Sequence, residues 1–219
     1  MTEVDLEFDG LTELLQRIEA LDADRVIVAL SGPPGAGKSS LAAILVEKLN
    51  ARAPGTAEVI PMDGFHYDDI VLADWGLLAK KGSPQTFDTG GLASLLERLR
   101  TNVEKAIAVP VFDRSMELSR AGARMVPSNV RILVVEGNYL LLETPSWNRL
   151  KSFFDLTVML REDRAILHKR LIARWLSYGY DEAAATAKAV SNDLPNADLV
   201  LQGSSPADFE ITSSKTVQG

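Results

Sequence analysis

The run Gly32-Pro33-Pro34-Gly35-Ala36-Gly37-Lys38-Ser39 sets glycines, a lysine and a hydroxyl at the spacing G-x-x-x-x-G-K-S. That spacing is the phosphate-binding loop of nucleoside-triphosphate enzymes. Glycines let successive backbone N–H groups turn inward around phosphate oxygens. Lys38 brings a mobile point charge to the β- and γ-phosphates. Ser39 offers a hydroxyl to Mg²⁺, a hard cation that prefers oxygen. Ser40 follows as part of the same cradle, so a nucleoside triphosphate and Mg²⁺ are expected here.

Two carboxylates have the chemistry to complete such a site. Asp63 and Glu136 each follow an apolar run, where a parallel strand would deliver them to the ligand edge of a sheet. Phosphoryl transfer needs a group that orients or deprotonates the acceptor, and that role is expected of Asp63. Glu136 is expected beside Mg²⁺, together with Ser39. Arg161, Arg164, Lys169, Arg170 and Arg174 lie close together, with Arg170 and Arg174 four apart on one helical face. They read as a lid, with Arg170 and Arg174 stabilising transferred charge and Arg164 on the nucleotide. Simpler readings stand beside these. Asp63 could cap a turn, Glu136 could be satisfied by nearby backbone, and the basic helix could be a solvated face paired with Glu162 and Asp163. His66 follows Asp63 closely enough to touch a substrate, whereas His168 reads as structural. Trp75, Trp147 and Trp175 read as core or rim anchors.

The elements that must position these groups are legible from periodicity. Arg25 to Ser31 is a continuous, apolar and partly β-branched run, as a buried parallel strand should be, and Ser40 to Leu49 carries Leu41, Ile44, Leu45 and Leu49 at helical spacing. Leu11, Leu14, Leu15, Ile18 and Leu21 predict a packing helix ahead of that strand. Further strands are expected at 57–61, 130–135, 153–160 and 197–202, with 106–112 extended and a hairpin over 116–126 turning near Gly122. Helices are expected over 67–79, 91–102, 161–178 and 181–190, with a loop over 80–88. The alternation predicts an α/β fold: a mostly parallel five-stranded sheet with helices on both faces and a helical lid. The whole chain reads as one domain, with a core over 22–203 and a tail, rich in Ser and Thr, over 204–219.

Composition excludes several alternatives. The chain has 219 residues, enough for one large core, and no cysteine, which removes disulfides, thiolate metal sites and cysteine nucleophiles. With only two histidines, a structural zinc site is not expected. A net charge of −7 argues against nucleic acid as a partner, and the absence of a long apolar span argues against a membrane. The acidic start, Met1 to Asp5, lacks the basic region of an export signal, so a cytoplasmic location is expected. The expected partner is a small molecule carrying a hydroxyl; a homodimer is left open.

Several segments together resemble the P-loop kinases of small molecules, in the uridine kinase, pantothenate kinase and phosphoribulokinase group. Asp63-Gly64-Phe65-His66 is similar to a segment of pantothenate kinases, as is Lys80-Lys81-Gly82-Ser83-Pro84 with Phe87-Asp88. Pro110-Val111-Phe112-Asp113 is similar to the Pro-Val-Tyr-Asp of uridine kinases, and Val134-Val135-Glu136-Gly137 to the strand-end Glu-Gly of the group. The overall likeness is greatest to bacterial proteins provisionally labelled fructose-transport-system kinases, and it covers about residues 25 to 202. The resemblance implies phosphotransfer from MgATP with Asp63 as base and the basic helix as lid. It implies substrate contacts from Asp63, His66, Tyr67, Phe87, Asp88, Asp113, Arg114 and Glu117. One departure stands out. Glu117 occupies the position where uridine kinases carry a pyrimidine-reading histidine, and Phe112 replaces their tyrosine, so uridine and cytidine are disfavoured acceptors. A nucleotide-dependent switch is the weaker alternative, because no Asn-Lys-x-Asp segment is present to read guanine. An ATPase module without a small acceptor is another, weakened because the apolar strand ends in Glu136 without a preceding acid.

Overall fold

A computed structural model describes residues 7–214. The acidic start, Met1 to Asp5, and the last part of the tail, 215–219, lie outside the described residues. In chain order the elements are β1 (Glu7–Asp9), α1 (Leu11–Glu19), β2 (Val26–Ser31), α2 (Lys38–Arg52), β3 (Ala57–Pro61) and α3 (Asp69–Asp74). Next come α4 (Thr89–Thr101), β4 (Ala106–Asp113), β5 (Leu118–Pro127), β6 (Ile132–Gly137), α5 (Pro145–Asn148) and β7 (Leu156–Arg161). The chain closes with α6 (Arg164–Ser177), α7 (Glu182–Lys188), α8 (Leu194–Gly203) and β8 (Phe209–Ser214).

The main sheet has six strands in the order β1-β8-β7-β2-β6-β3, with β1 the single antiparallel edge. Side chains alternate across a strand, so β2 feeds two cores. Val26, Val28 and Leu30 pack with Leu41, Leu45 and Leu49 of α2 and with Leu14 and Ile18 of α1. Ile27 and Ala29 pack on the other face with Leu92, Leu96 and Leu99 of α4. Helices on both faces leave no room for a solvated strand, which is why β2 and β6 are buried at every position.

Four of the five expected strands are in place; the fifth is not. The segment 197–202 lies inside α8, where Asn196, Ala197 and Val200 are buried at helical spacing. A short apolar run does not by itself distinguish a strand from a helix. The missing parallel strand is β8, in the segment read as a tail. There Phe209 and Ile211 are buried while Glu210 and Thr212 are exposed, a period-two pattern diluted by its polar half. Helix 67–79 shrinks to α3, which starts at the Asp68 cap and is followed by Gly76 at φ 66°. The hairpin is built from β4 and β5, with its tip at 114–117 rather than at Gly122. Gly122 instead marks a bulge within β5, where the register passes from Val109–Arg124 to Val111–Arg120.

The lower end of the sheet is tied by one buried cation. Arg25 is 3% exposed and donates to the carbonyl oxygens of Val130 (3.0 Å), Leu99 (3.1 Å), Pro127 (3.0 Å) and Ser128 (3.0 Å). One side chain thus joins the start of β2, the end of α4 and the approach to β6, far from the ligand edge. Arg25→Met removes all four of these hydrogen bonds and should lower the unfolding free energy by about 3 kcal/mol. A urea titration checks this; nucleotide affinity of the folded variant should not change.

Candidate active site

Parallel strands that share one direction end at one edge, and the candidate groups gather there. Gly32 to Gly37 turn from β2 into α2, with Gly35 at φ 82° and Gly37 at φ 101°. These left-handed conformations favour glycine, and they turn the loop about the start of a helix whose dipole favours anions. Lys38 begins that helix and is 8% exposed; its ammonium donates to the Pro33 carbonyl at 3.0 Å. Burial lowers its pKa to about 8, and the Arg174 charge pushes the same way, opposed by Glu136 and Asp63. An ammonium held this way is short of an anion.

Glu136 sits in β6 with Leu30 and Pro61 as its register partners, so it is walled in on both sides and 9% exposed. Burial raises its carboxyl above the usual range, while Lys38 and the Ser39 hydroxyl favour its anion. A buried carboxylate beside an ammonium and a hydroxyl suits a divalent cation; Ser39 and Glu136 are a fitting oxygen pair for Mg²⁺. Ser39 and Ser40 are both exposed on the first turn of α2.

Asp63 follows β3 in a 3₁₀ turn, Met62–Phe65. Gly64 in that turn allows β4 to pass close, since a Cβ there would stand 2.5 Å from the Pro110 carbonyl oxygen. Asp63 Oδ2 accepts from Arg114 Nη2 at 2.8 Å, so the hairpin tip is docked on the carboxylate. The Asp63 carbonyl lies 2.8 Å from His66 Nδ1. Burial lowers the His66 pKa, so the neutral ring donates from Nδ1, packed between Phe87 at 4.0 Å and Phe112 at 4.7 Å.

A cavity of about 760 Å³ opens beside Asp63 and the loop residue Pro34; Lys38, Ser39 and Glu136 are not in its lining. Pro34 of the loop, Asp63, His66, Phe87, Arg114, Glu117 and Arg174 all line it. Tyr67, Asp88, Asp113, Arg164 and Arg170 are outside the cavity lining and are engaged by other partners. Asp88 caps α4 by accepting from the Gly91 N–H at 2.8 Å, and Tyr67 packs its ring on Trp75. Asp113 holds the hairpin tip through Ser115 (2.6 Å) and Arg120 (3.5 Å). Arg164 is taken up by Asp198 at 2.8 and 3.0 Å, tying α6 to α8. Arg170 donates to the Gly35 and Ala36 carbonyls at 3.4 and 3.2 Å and pairs with Glu162 at 3.0 Å. Where N–H groups turn inward, carbonyls turn outward, so Arg170 braces the loop from its far side.

Several cavity residues were not anticipated. Lys81 binds Asp69 at 2.6 Å and the Glu117 carbonyl at 2.7 Å. Tyr139, next but one to Gly137, donates to the Gly82 carbonyl at 2.6 Å, and its phenol is pushed well up by burial. Its position just past a strand end was the available signal. Asp193, Asn192 and Asn196 also line the cavity, from a stretch with no motif to mark it.

The chain is 34% identical over 212 residues to the uncharacterized protein YggC of Escherichia coli K12, spanning 95% of this chain and 87% of that protein. It is 32% identical over 183 residues to a Schizosaccharomyces pombe protein provisionally named uridine kinase C227.14, spanning 80% and 78%. A crystal structure from Silicibacter sp. TM1040, provisionally named a fructose transport system kinase, superposes with a TM-score of 0.84 at 40% identity, over 91% of this chain and 96% of that one. No family model matches the chain.

The Lys38 environment makes a prediction of its own. With a pKa of about 8 in the free protein, Lys38 is fully protonated only below that pH. A bound polyphosphate favours the ammonium and raises the pKa. Affinity should therefore be full below pH 8 and fall as pH climbs through the raised value. Between the two values, binding takes up a proton. Calorimetry of ATP binding in buffers of different ionisation enthalpy should show proton uptake at about pH 9 and none from this group at about pH 6. No uptake at the higher pH would contradict the assignment.

Proposed function

The chain belongs to the P-loop kinases of small molecules, which are ATP-dependent phosphotransferases, and from that premise we propose that it moves the γ-phosphate of MgATP to a hydroxyl held at Asp63. The observation that carries this reading is that Asp63 and the loop residue Pro34 line one cavity, with Lys38 and Glu136 close enough to act on each other's charge. Lys38 and the backbone N–H groups of Gly35 to Ser40 would hold the β- and γ-phosphates. Ser39 and Glu136 would hold Mg²⁺, which supplies neutralisation of phosphate charge when bound.

Asp63 orients the acceptor. Arg114 holds Oδ2, which leaves Oδ1 for the acceptor hydroxyl. The hydroxyl oxygen forms a bond to the γ-phosphorus as the bond to the β–γ bridging oxygen breaks, and that electron pair leaves with ADP. The hydroxyl proton passes to Asp63 and then to water. Because the transition state is loose, positioning matters more than basicity, and an ion-paired carboxylate suffices. His66, packed between Phe87 and Phe112, forms an apolar floor rather than a proton donor to substrate.

The acceptor is a small molecule, and the hairpin tip argues against a pyrimidine nucleoside. Glu117 has φ 53°, its carbonyl accepts from Lys81, and its carboxylate lies 3.6 Å from the same ammonium. A carboxylate here suits a polyol or cationic group better than a pyrimidine edge. The sugar, nucleoside and pantothenate-like classes are thus ranked with the nucleosides last.

Asp63→Asn should lower kcat by about 10²- to 10⁴-fold while leaving the KM for ATP nearly unchanged. Unchanged turnover would remove Asp63 from its role. Glu117→His should shift acceptor preference towards nucleosides, measured as the ratio of kcat/KM values; an unmoved ratio would remove Glu117 as a selector.

A further inference from the structure

We propose that Asp193 is a positioning residue that aims the Arg174 guanidinium at the phosphate loop, an inference that rests on the kinase reading of the site. Asp193 is 7% exposed, and both oxygens of its carboxylate are bound by the end of α6. Oδ1 accepts from Arg174 Nη2 at 3.0 Å, and Oδ2 accepts from the Trp175 indole N–H at 2.6 Å. Two adjacent side chains are thus fixed by one buried group. Burying a carboxylate is costly unless it is paired, so the arrangement is selective about geometry.

The backbone around Asp193 is shaped for this purpose. Between α7 and α8 the chain makes a π-helical turn, Ala189–Asp193. Pro195, at the start of α8, lacks the N–H that an unbroken α-helix would need there, and its ring crowds the preceding turn. The wider turn re-aims the side chains it carries, and Ser191, Asn192 and Asp193 all reach the cavity. Trp175 completes the bracket. Its ring lies under the Lys188 ammonium at 4.7 Å and against Tyr180 at 5.3 Å, so α6 and α7 are locked together beside Asp193.

Arg174 itself has unused donor capacity. Its Nε is buried without a hydrogen-bond partner, and the residue lines the same cavity as Pro34. Its charge is felt at Lys38. Arg170, one turn earlier, is already taken up by Glu162 and the loop carbonyls. Arg164 is held by Asp198 and Lys169 does not line the cavity, so Arg174 is the α6 cation that faces it, and Asp193 sets its direction.

The test compares ADP with a non-hydrolysable ATP analogue by calorimetry, so it does not require the acceptor. Wild type should prefer the triphosphate, and Arg174→Gln and Asp193→Asn should each cut that preference by about tenfold, with ADP affinity nearly unchanged. The double variant should lose no more than either single one, because both remove the same contact. An intact preference in Asp193→Asn, or losses that multiply in the double variant, would overturn the proposal. Should Asp193→Asn not fold, Asp193→Glu keeps the charge but displaces it; it should also lower the preference, and an unchanged preference overturns the proposal. Wild type that turns over an acceptor without preferring the triphosphate would defeat this inference alone. Wild type that binds neither nucleotide would defeat the kinase reading and this inference with it.

Discussion

One buried ammonium organises the site. Lys38 is the first residue of α2, shielded from water and donating only to the Pro33 carbonyl. Placing a cation there is unfavourable in the absence of an anion, and its lowered pKa records the cost. The surrounding structure makes the arrangement tolerable. The parallel strands β2, β3 and β6 end together, so Glu136 and Asp63 are delivered to the same edge from different parts of the chain. Each partly offsets the lysine charge, and Glu136 carries its own burial cost in turn. The result is a cluster of opposite charges that is incompletely satisfied, as a site awaiting a metal-bound polyphosphate should be.

The second layer of the design is bracing. Arg170 supports the loop from its outer side, Arg114 docks the β4–β5 hairpin on Asp63, and Asp193 holds the end of α6. Arg170 and Arg114 reach strand-end groups from regions remote in sequence, and Asp193 joins the turn before α8 to the end of α6. On the proposed function, acceptor specificity would fall to the hairpin tip that carries Glu117, with Lys81 beside it, and donor binding to the loop. Separate elements can thus change acceptor without disturbing the nucleotide half.

Much of this was legible in the sequence, for identifiable reasons. The loop, Asp63 and Glu136 stood out because apolar strands end abruptly at them, and the topology of a parallel sheet brings strand ends together. What was misread lacked a local signal. Residues 197–202 carry an apolar run compatible with either strand or helix, and burial at Asn196, Ala197 and Val200 decided for α8. Strand β8 was obscured because half its residues face water. Arg164 and Arg170 share the composition and helix of Arg174; only the partners Asp198, Glu162 and Asp193 assign the three different roles. Asp88 and Asp113 were read from type as substrate contacts, and the sequence carried no sign that they also hold a helix cap and a hairpin tip.

The central claim is that the cluster at the strand ends transfers phosphate to a small hydroxyl compound. Its most direct test is ³¹P NMR of ATP incubated with the protein and a panel of sugars, polyols, pantothenate-like acids and nucleosides. The account predicts a new phosphate monoester in step with ADP, only when a suitable acceptor is present. ADP and inorganic phosphate formed at the same rate with or without any acceptor would contradict it.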